Sequence, residues 1–428
     1  MIRILREPAE IAEFTRNIAL RGGENTNAEN VALEIIKDVK NRGDEAVKQL
    51  TAKFDCENAQ YYRVPDEVIE QAYKSADEAF LRALTRCKEN IEKYHKKQKR
   101  EGYEIREDNG VILKQRVIPL DRVGIYIPGG TAPLFSSVLM CAIPAKIAGV
   151  KEIIMTTPPQ KDGAPNKEVL IAAKLCGIDK IFMCGGAQAI AAMAYGTAEI
   201  PKVAKIVGPG NAYVTAAKKL LFGMIDIDMI AGPSEVLIIA DATANPRYIA
   251  ADLLSQAEHD TLASSILITT SEGIIPAVIA ELEKQLQVLP RSETAEKSLK
   301  NYGAIIVASD LNQAAEISDS IAPEHLEILT ENPFEIEEKI TNAGSVFLGE
   351  FSPEPLGDYF AGTNHVLPTN GTARFFSPLS ADDFVKKSSS IFYTKEALEN
   401  AAQDIILTAE REGLDAHANS IRVRCNNV

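Results

Sequence analysis

Short apolar runs rich in β-branched residues alternate with longer amphipathic stretches from residue 121 onward. A first series of runs covers residues 123–127, 152–156, 180–183 and 205–207, and each run is followed by an alanine-rich stretch at helical spacing. A second series covers residues 235–240, 265–269, 303–307 and 344–348. Such alternation is typical of βαβ units, so the pattern predicts two α/β units built on parallel sheets.

The remaining segments have different patterns. Residues 26–100 and 394–419 carry apolar positions at helical spacing, which predicts helices at both ends of the chain. Residues 352–378 are rich in Gly, Pro, Asn and Thr and predict a long irregular segment. A long loop in a folded domain is more often functional than not, so this segment is a candidate part of a site.

Composition and charge narrow the class of protein. The chain has 46 Lys plus Arg against 60 Asp plus Glu, a formal net charge of -14, which disfavours broad binding to nucleic acid. The first twenty residues carry charges throughout, which argues against a signal peptide, and we find no apolar run long enough for a membrane span. The six cysteines are scattered, as is typical of reduced thiols. We therefore expect a cytoplasmic protein without nucleic-acid or membrane partners.

Candidate metal ligands come from the few histidines and the segments near them. Gln256 and His259 lie one turn apart on a predicted helix, Asp358 lies in the irregular segment, and His417 lies on the terminal helix. An amide oxygen, two imidazoles and a carboxylate form a ligand set that suits Zn²⁺. The alternative, favoured by spacing alone, is a solvated polar helix face with unconnected neighbours.

A candidate for proton transfer is the dipeptide Glu324-His325, which precedes the apolar run 326–329. Histidine titrates near neutral pH, and a carboxyl group in a suitable environment can do so too, so this acid and imidazole could act as a general acid/base pair. The alternative is an exposed pair on a loop.

Glycine-rich turns follow three predicted strands, at residues 128–130, 184–186 and 207–211. In open α/β sheets ligands bind at the carboxyl ends of the strands, where glycine allows a phosphate to approach the backbone. The dinucleotide fingerprint G-x-G-x-x-G is absent from the chain. Either NAD is bound here in another way, or these glycines only form tight turns.

Taken together, motifs along nearly the whole chain closely resemble the histidinol dehydrogenase family. The matching segments are 42–44 (RGD), 53–55 (KFD), 123–130 (VGIYIPGG), 207–213 (VGPGNAY), 231–235 (AGPSE), 255–259 (SQAEH), 322–325 (APEH), 362–365 (GTNH) and 412–417 (EGLDAH). Their joint occurrence in this order is much more specific than any single motif.

The resemblance implies roles for particular residues. It implies Zn²⁺ bound by Gln256, His259, Asp358 and His417, and a general acid/base pair formed by Glu324 and His325. The substrate-binding residues that it implies are the metal ligands together with Ser234, His325, His365 and Glu412. The implied NAD contacts are Tyr126, Gln188 and Asn211.

The resemblance also implies an architecture of two similar Rossmann-like α/β domains, one inserted in the other, with small helical terminal segments exchanged in a homodimer. The implied parts are an N-terminal helical segment (1–25), a large α/β domain (26–126 plus 236–378), an inserted α/β domain (127–235) and a C-terminal helical segment (379–428). His417 would then reach the active site of the other subunit, so that the dimer shares its sites.

The function implied is zinc-dependent, NAD-linked oxidation of L-histidinol to L-histidine through L-histidinal, the last steps of histidine biosynthesis. Three alternatives stay open at this point. A member of the same family could oxidise another small alcohol such as a sulfonated diol, the chain could be a zinc hydrolase using Glu324, or it could be a binding protein without activity. Glu412 and His365 suit a cationic amino-imidazole substrate and favour histidinol.

Overall fold

The computed structural model describes residues 2–21, 26–129 and 134–425. Contacts divide these residues into two compact units, of which the first comprises 2–98 and 121–384 and the second comprises 99–120 and 385–425. Among the described residues, every helix is too short or too polar to cross a membrane.

Fourteen strands are present in the described part of the chain. They are β1 (Arg3–Leu5), β2 (Tyr103–Arg106), β3 (Ile112–Pro119), β4 (Arg122–Tyr126), β5 (Glu152–Thr157), β6 (Lys180–Met183), β7 (Lys205–Val207), β8 (Asp226–Ile227), β9 (Glu235–Ala240), β10 (Ser264–Thr269), β11 (Ala304–Val307), β12 (His325–Leu329), β13 (Ser345–Leu348) and β14 (Val385–Phe392).

The α-helices of the same residues number seventeen. They are α1 (Pro8–Leu20), α2 (Thr26–Arg42), α3 (Asp44–Phe54), α4 (Asp66–Lys74), α5 (Glu78–His95), α6 (Phe135–Ala148), α7 (Lys167–Leu175), α8 (Gly186–Tyr195), α9 (Ala212–Leu221), α10 (Pro246–Ala257), α11 (Ile275–Leu286), α12 (Ser292–Tyr302), α13 (Leu311–Ile321), α14 (Pro333–Glu337), α15 (Glu354–Tyr359), α16 (Lys395–Arg411) and α17 (Asp415–Arg422). Short 3₁₀ helices occupy Lys96–Gln98, Glu272–Ile274, Thr372–Arg374 and Ala381–Phe384.

A six-stranded parallel sheet in the first unit has the strand order β1-β11-β10-β9-β12-β13. Its strands β9, β10 and β12 are buried along their whole length, which explains the apolar centres of β9 and β10, whereas β12 also buries His325 and Glu327. Alternate residues pack on opposite faces: Val236 and Ile238 contribute to a core shared with α10, α11 and α12, whereas Leu237 and Ile239 contribute to a core shared with α1 and α13.

A five-stranded parallel sheet in the same unit has the order β6-β5-β4-β7-β8. Its strands all lie between β1 and β9 in the chain, so one α/β element is inserted into the sequence of the other. Helices α2 and α3 pack against α8 and α9 in a core that includes buried residues of this sheet.

The second unit is small and contains an antiparallel sheet with the order β14-β3-β2. Helices α16 and α17 pack against each other through a short apolar core of Ile406, Ala409, Ala418 and Ile421. The predicted helices at the C-terminal end are thereby confirmed, with a break at Glu412–Leu414 where Gly413 adopts a positive φ of 73°.

The structure confirms the α/β class with two parallel sheets, and all eight strands of the two predicted series are present within one or two residues. The strands that the pattern did not reveal are β1, β2, β3, β8, β12 and β14. Strand β4 ends at Tyr126 and belongs to the five-stranded sheet, while the domain boundaries at 126, 235 and 378 and the exchange of terminal segments stay predictions.

Candidate active site

His325 is the first residue of β12, where the parallel pairing with β9 aligns it with Val236. Its ring is buried, and Nδ1–H donates to the backbone carbonyl of Glu235 at 2.9 Å. That bond fixes the tautomer, so Nε2 carries the lone pair, and Nε2 has no hydrogen-bond partner. Burial lowers the pKa of His325, which keeps the ring neutral and able to accept a proton.

Glu324 lies beside His325 and is held by the same residue of β9. One carboxylate oxygen of Glu324 accepts the backbone N–H of Glu235 at 3.0 Å, and the backbone N–H of Glu324 donates to the side chain of Glu235 at 3.3 Å. The Glu235 carboxylate also forms a buried ion pair with Arg21 at 2.8 Å. Glu324 and His325, hereafter the acid–imidazole pair, are therefore anchored by sheet geometry rather than by a loop.

Helix α15 brings two further carboxylates to His325. Glu354 Oε1 lies 3.8 Å from Nε2 of His325, and one ligand atom from each of His325, Glu354 and Asp358 lies within 4.8 Å of the other two. Burial and the nearby charge of Asp358 raise the pKa of Glu354 to about 9. Such a cluster without a balancing charge favours a cation.

His365 lies against the same helix in the segment predicted as irregular. Its Nδ1–H donates to the backbone carbonyl of Asp358 at 3.1 Å, and Nε2 lies 3.1 Å from the hydroxyl of Ser137. The ring is mostly buried, and burial lowers its pKa. His365 and Asp358 therefore belong to one constellation with the acid–imidazole pair.

The end of α10 supplies the most informative side chain of the site. Gln256 is 1% exposed, yet neither its carboxamide oxygen nor its nitrogen has a hydrogen-bond partner. Buried polar groups without a partner are rare because each costs about 1–3 kcal/mol. His259 follows the helix end on the surface and lies close enough to His325 and His365 to lower the pKa of both by charge repulsion.

Several carboxyl groups around these residues are buried and bonded to one another. Asp252 is hydrogen-bonded to Glu327, and Glu354 is hydrogen-bonded to Asp358 and to the hydroxyl of Ser255. Burial raises the pKa of Asp252 to about 6, and burial together with the charge of Asp252 raises the pKa of Glu327 well above its ordinary range. Carboxyl groups pack in this way only when they share protons or when a cation compensates their charge.

Two predicted site residues, the substrate-binding residue Glu412 and the metal ligand His417, belong to the second unit. Glu412 caps the end of α16 and His417 lies on α17, both exposed and both in the second unit. Ser234 is half-buried directly before β9, one residue from Glu235. The first unit thus assembles the acid–imidazole pair with Asp358 and His365 and places His259 near them, and the roles of these residues stay predictions.

The predicted NAD contacts lie at the carboxyl ends of strands in the five-stranded sheet. The hydroxyl of Tyr126 accepts the backbone N–H of Gly186 at 3.2 Å, and the side chain of Gln188 donates to Asp55 at 3.2 Å. Asn211 caps α9 by accepting the N–H groups of the two residues Tyr213 and Val214. Asp55 also accepts the N–H of Gly185, so Tyr126 and Gln188 share one cluster.

The glycine turns at these strand ends pack closely against neighbouring atoms of the protein. A Cβ on Gly129 would lie 2.8 Å from Pro158, and one on Gly185 would lie 2.7 Å from Asp55. Gly208 has a φ of 114°, and a Cβ there would lie 2.1 Å from the carbonyl oxygen of Tyr126. Gly130, the last residue of the first predicted turn, lies outside the described residues. Close packing therefore requires glycine in these turns, which stand at the strand ends where ligands of open α/β sheets bind.

Functional candidates that the sequence did not reveal are Arg21, Asp55, Glu235 and Glu354. Asp55 and Glu235 belong to the matched motifs 53–55 and 231–235, which was the available signal, whereas Glu354 had none. Cys141 and Cys184 are completely buried, and burial raises the pKa of both thiols, so neither is a nucleophile in this state.

The fold and the site define an α/β enzyme with a buried acid–imidazole pair at a strand terminus. The family model described as histidinol dehydrogenase matches residues 20–425. Among similar proteins, a histidinol dehydrogenase of Clostridium acetobutylicum is 56% identical over 404 residues, covering 94% of both chains. One of Bacillus cereus (strain ATCC 14579) is 52% identical over 423 residues, covering 99% of this chain and 96% of the relative.

A solved structure agrees with the sequence comparisons. The crystal structure of histidinol dehydrogenase from Elizabethkingia anophelis has a TM-score of 0.92 and 43% sequence identity, covering 99% of this chain and 98% of that one. The chain therefore belongs to the histidinol dehydrogenase family and is an oxidoreductase.

Proposed function

We propose that the protein oxidises L-histidinol to L-histidine through L-histidinal, using Zn²⁺ and NAD⁺, as the last steps of histidine biosynthesis in the cytoplasm. The observation that carries the proposal is the buried His325 Nε2, which lacks a partner and faces carboxylates at a strand end, in a chain of this family. A neutral imidazole in this position is a base suited to an alcohol proton.

We assign the zinc site to Gln256, His259 and Asp358 of one subunit and to His417 of a second subunit in a homodimer. The partnerless carboxamide of Gln256 supports the assignment, because an amide oxygen that binds a cation needs no hydrogen-bond donor. The excess of buried carboxyl groups beside it also favours a cation. When bound, zinc holds and orients the substrate.

For NAD⁺ we assign Tyr126, Gln188 and Asn211. The position of these residues at the carboxyl ends of β4, β6 and β7 supports this assignment, since ligands of open α/β sheets bind at such strand ends. When bound, NAD⁺ accepts a hydride in each of the two oxidations.

In the first oxidation, His325 takes the proton of the substrate hydroxyl on Nε2 while the carbon gives up a hydride. The bond from Nδ1–H to the carbonyl of Glu235 stabilises the ring as it becomes positively charged. The product of this step is an aldehyde, which must stay in the site for the second oxidation.

Water must then add to the aldehyde. In its ionised form Glu324 can take a proton from that water, and burial, which raises its pKa well above the usual range of a carboxyl group, makes that form a stronger base. The proton that His325 took in the first oxidation passes to the aldehyde oxygen, which completes the hydrate and leaves the imidazole neutral. The hydrate then loses a hydroxyl proton to His325 and a hydride from carbon, which yields the carboxylic acid. One water is consumed, and both protons leave through the acid–imidazole pair.

The electrostatics of the site favour a cationic substrate. Histidinol carries an ammonium group and an imidazole, and Asp358 and Glu412 offer carboxylates while His365 offers a hydrogen-bonding ring. A sulfonated diol would instead bring a negative charge against the carboxylate of Asp358, whose charge already acts on its neighbour Glu354. Turnover of histidinol should therefore greatly exceed turnover of an anionic diol.

The proposal is tested by following NADH absorbance with purified protein, L-histidinol and NAD⁺. We expect two NADH for each histidinol, consistent with two hydride transfers, and loss of turnover after treatment with a chelator that is reversed by Zn²⁺. No NADH formation with histidinol would contradict the proposal. Hydrolysis that depends on zinc, in the absence of NADH formation, would favour a hydrolase instead.

The role of Glu324 has its own test. Glu324→Gln keeps the shape of the side chain but removes the base, so we expect loss of the conversion of L-histidinal to L-histidine with zinc content unchanged. Loss of zinc from this variant, with normal turnover once zinc is restored, would show that Glu324 serves the metal site instead.

A further inference from the structure

A buried ion pair lies behind the turn that joins β7 to α9. Lys218 on α9 contacts Asp228, and their side chains are 4% and 1% exposed. Lys218 Nζ also donates to the backbone carbonyl of Gly208 at 2.9 Å, while Asp228 accepts the backbone N–H of Gly208 at 2.7 Å and that of Met229 at 2.7 Å. The pair therefore binds both polar groups of a single glycine.

The conformation of Gly208 indicates why its backbone needs the ion pair. Its φ of 114° is accessible to glycine and costly to other residues, and its backbone passes close to the carbonyl of Tyr126. Asn211, three residues later, begins α9. Hence Gly208 lies between two of the residues assigned to NAD⁺.

Energetics make a purely structural role a poor explanation for the pair. Burying two charges costs several kcal/mol in desolvation, and apolar residues of similar size often stabilise a fold equally well or better. Charged groups, in contrast, form short and directional hydrogen bonds that hold a backbone in one orientation. The pair is therefore suited to fixing the geometry of the turn.

We infer that Lys218 and Asp228, hereafter the Gly208 clamp, are positioning residues for NAD⁺. They hold the backbone of Gly208 so that the β7–α9 turn and Tyr126 present a preformed surface to the cofactor. The inference rests on the proposed function, because it requires that NAD⁺ binds at this edge of the sheet. Neither residue of the clamp is assigned a contact with the cofactor.

Strand β7, which leads into the turn, offers a matched control. Lys205, at the opposite end of β7, has a buried side chain and forms an ion pair with Asp226 at 2.9 Å. Lys205→Met thus also removes a buried and paired cation, but at the amino end of the sheet, away from the glycine turns. A general loosening of the sheet would affect both variants alike.

The test measures NADH binding to the purified, zinc-loaded protein by the change in NADH fluorescence on binding. We expect Lys218→Met to raise the Kd of NADH by about tenfold or more, the effect of losing one charged hydrogen bond at the site. The KM of histidinol and the zinc content should stay within about twofold of the wild-type values, and Lys205→Met should change the NADH Kd by less than about twofold.

A second variant covers the case in which Lys218→Met fails to fold because Asp228 is left buried without a partner. Lys218→Met/Asp228→Asn removes both charges, and we expect the same weakening of NADH binding. If neither variant folds while Lys205→Met does, the pair supports the fold itself and the inference is wrong.

Other results would also overturn the inference. These are an unchanged NADH Kd in a folded clamp variant, or equal losses of NADH, histidinol and zinc. NADH binding to the wild-type protein is measured first. Its absence would contradict the proposed function itself, which is a different result from a failure of the clamp inference.

Discussion

The backbone and side chain of Glu235 together hold both members of the acid–imidazole pair. Its carbonyl accepts from His325, its N–H donates to Glu324, and its carboxylate is paired with Arg21. Because a single residue fixes two reacting groups, their mutual orientation does not depend on side-chain rotamers alone. Arg21 lies directly after α1, so the N-terminal segment contributes to the alignment of the pair.

At His325, replacement by Asn should abolish most of the activity without loss of the metal. We expect His325→Asn to lower kcat by about 10²–10⁴-fold, the usual contribution of a general base, with zinc content unchanged. A matched control is His95→Asn, because His95 is also buried and its Nδ1 also bonds a backbone carbonyl, that of Ile91, at 2.9 Å. Equal losses of kcat per folded molecule in both variants would contradict the role of His325.

The carboxyl of Glu354 predicts how pH affects the metal-free protein. Its folded-state pKa is raised from 4.5 to about 9, so the folded state holds this proton more tightly than the unfolded chain does. That contribution to stability is complete below pH 4.5, shrinks as pH rises and is gone above about pH 9. Chelator-treated protein should therefore lose thermal stability across this window.

Replacing Glu354 isolates the contribution of its carboxyl group to this pH dependence of stability. Glu354→Gln cannot ionise, so the decline in Tm of the chelated protein between pH 4.5 and about 9 should be smaller in this variant than in the wild type. Parallel Tm profiles for the two proteins would show that Glu354 ionises normally in the folded state.

At the scale of elements, the turn after β7 combines an unusual φ at Gly208 with a close approach of two backbones. Gly208→Ala should cost about 2–4 kcal/mol of unfolding free energy, because the new Cβ is strained at a φ of 114° and collides with the carbonyl of Tyr126. Gly223→Ala is the matched control, since Gly223 has a φ of 95° but open space around it, and should cost about 1–2 kcal/mol. Denaturant unfolding of both variants measures the difference, and equal costs would show that the turn relaxes.

The strands of the six-stranded sheet show which elements the sequence pattern could predict and which it could not. Strands β9 and β10 were predictable because both faces are buried and each contains an uninterrupted apolar run, 236–240 in β9 and 266–268 in β10. Strand β12 was missed because its first residue is His325 and its third is Glu327, which break the apolar run although both are buried. Polar residues in a buried strand are what an active site introduces, so the pattern failed at the place where the chemistry lies.

For the site, the motifs supplied the acid–imidazole pair and the candidate ligands but none of the geometry. The contact between Asp55 and Gln188 joins residues 133 positions apart, and no local pattern signals it. In the sequence, Glu354 looked like an ordinary charged residue of the irregular segment 352–378, in which the structure instead forms the short helix α15. Its burial against His325 depends on how the segment 349–379 folds over the sheet, which is a tertiary property.

For the whole molecule, the assignment of His417 to the site of a second subunit makes a prediction about mixed dimers. His325→Asn and His417→Asn should each be inactive alone, but a heterodimer would contain one site in which all the required residues are intact. Mixing the two variants after reversible dissociation should restore about a quarter of the wild-type activity, because about half of the dimers are mixed and each has one working site.

Controls make this experiment decisive. His325→Asn mixed with Glu324→Gln should not form L-histidine. One subunit supplies both of these residues to a given site, so each site of a mixed dimer still carries one of the two changes. Failure of the first mixture to gain activity, with exchange of subunits verified by size or mass, would indicate that each subunit completes its own site.

The acid–imidazole pair is set by the hydrogen-bond ladder between β9 and β12, whereas Glu354, Asp358 and His365 come from the segment between β13 and β14. In the proposed roles, the proton-transferring pair and a part of the substrate contacts thus come from separate stretches of the polypeptide. Grafting the 349–379 segment of another alcohol-oxidising relative onto this framework would redirect which molecule is accepted while the catalytic alignment is inherited intact. The architecture in this sense makes new specificities accessible through a change in one contiguous stretch.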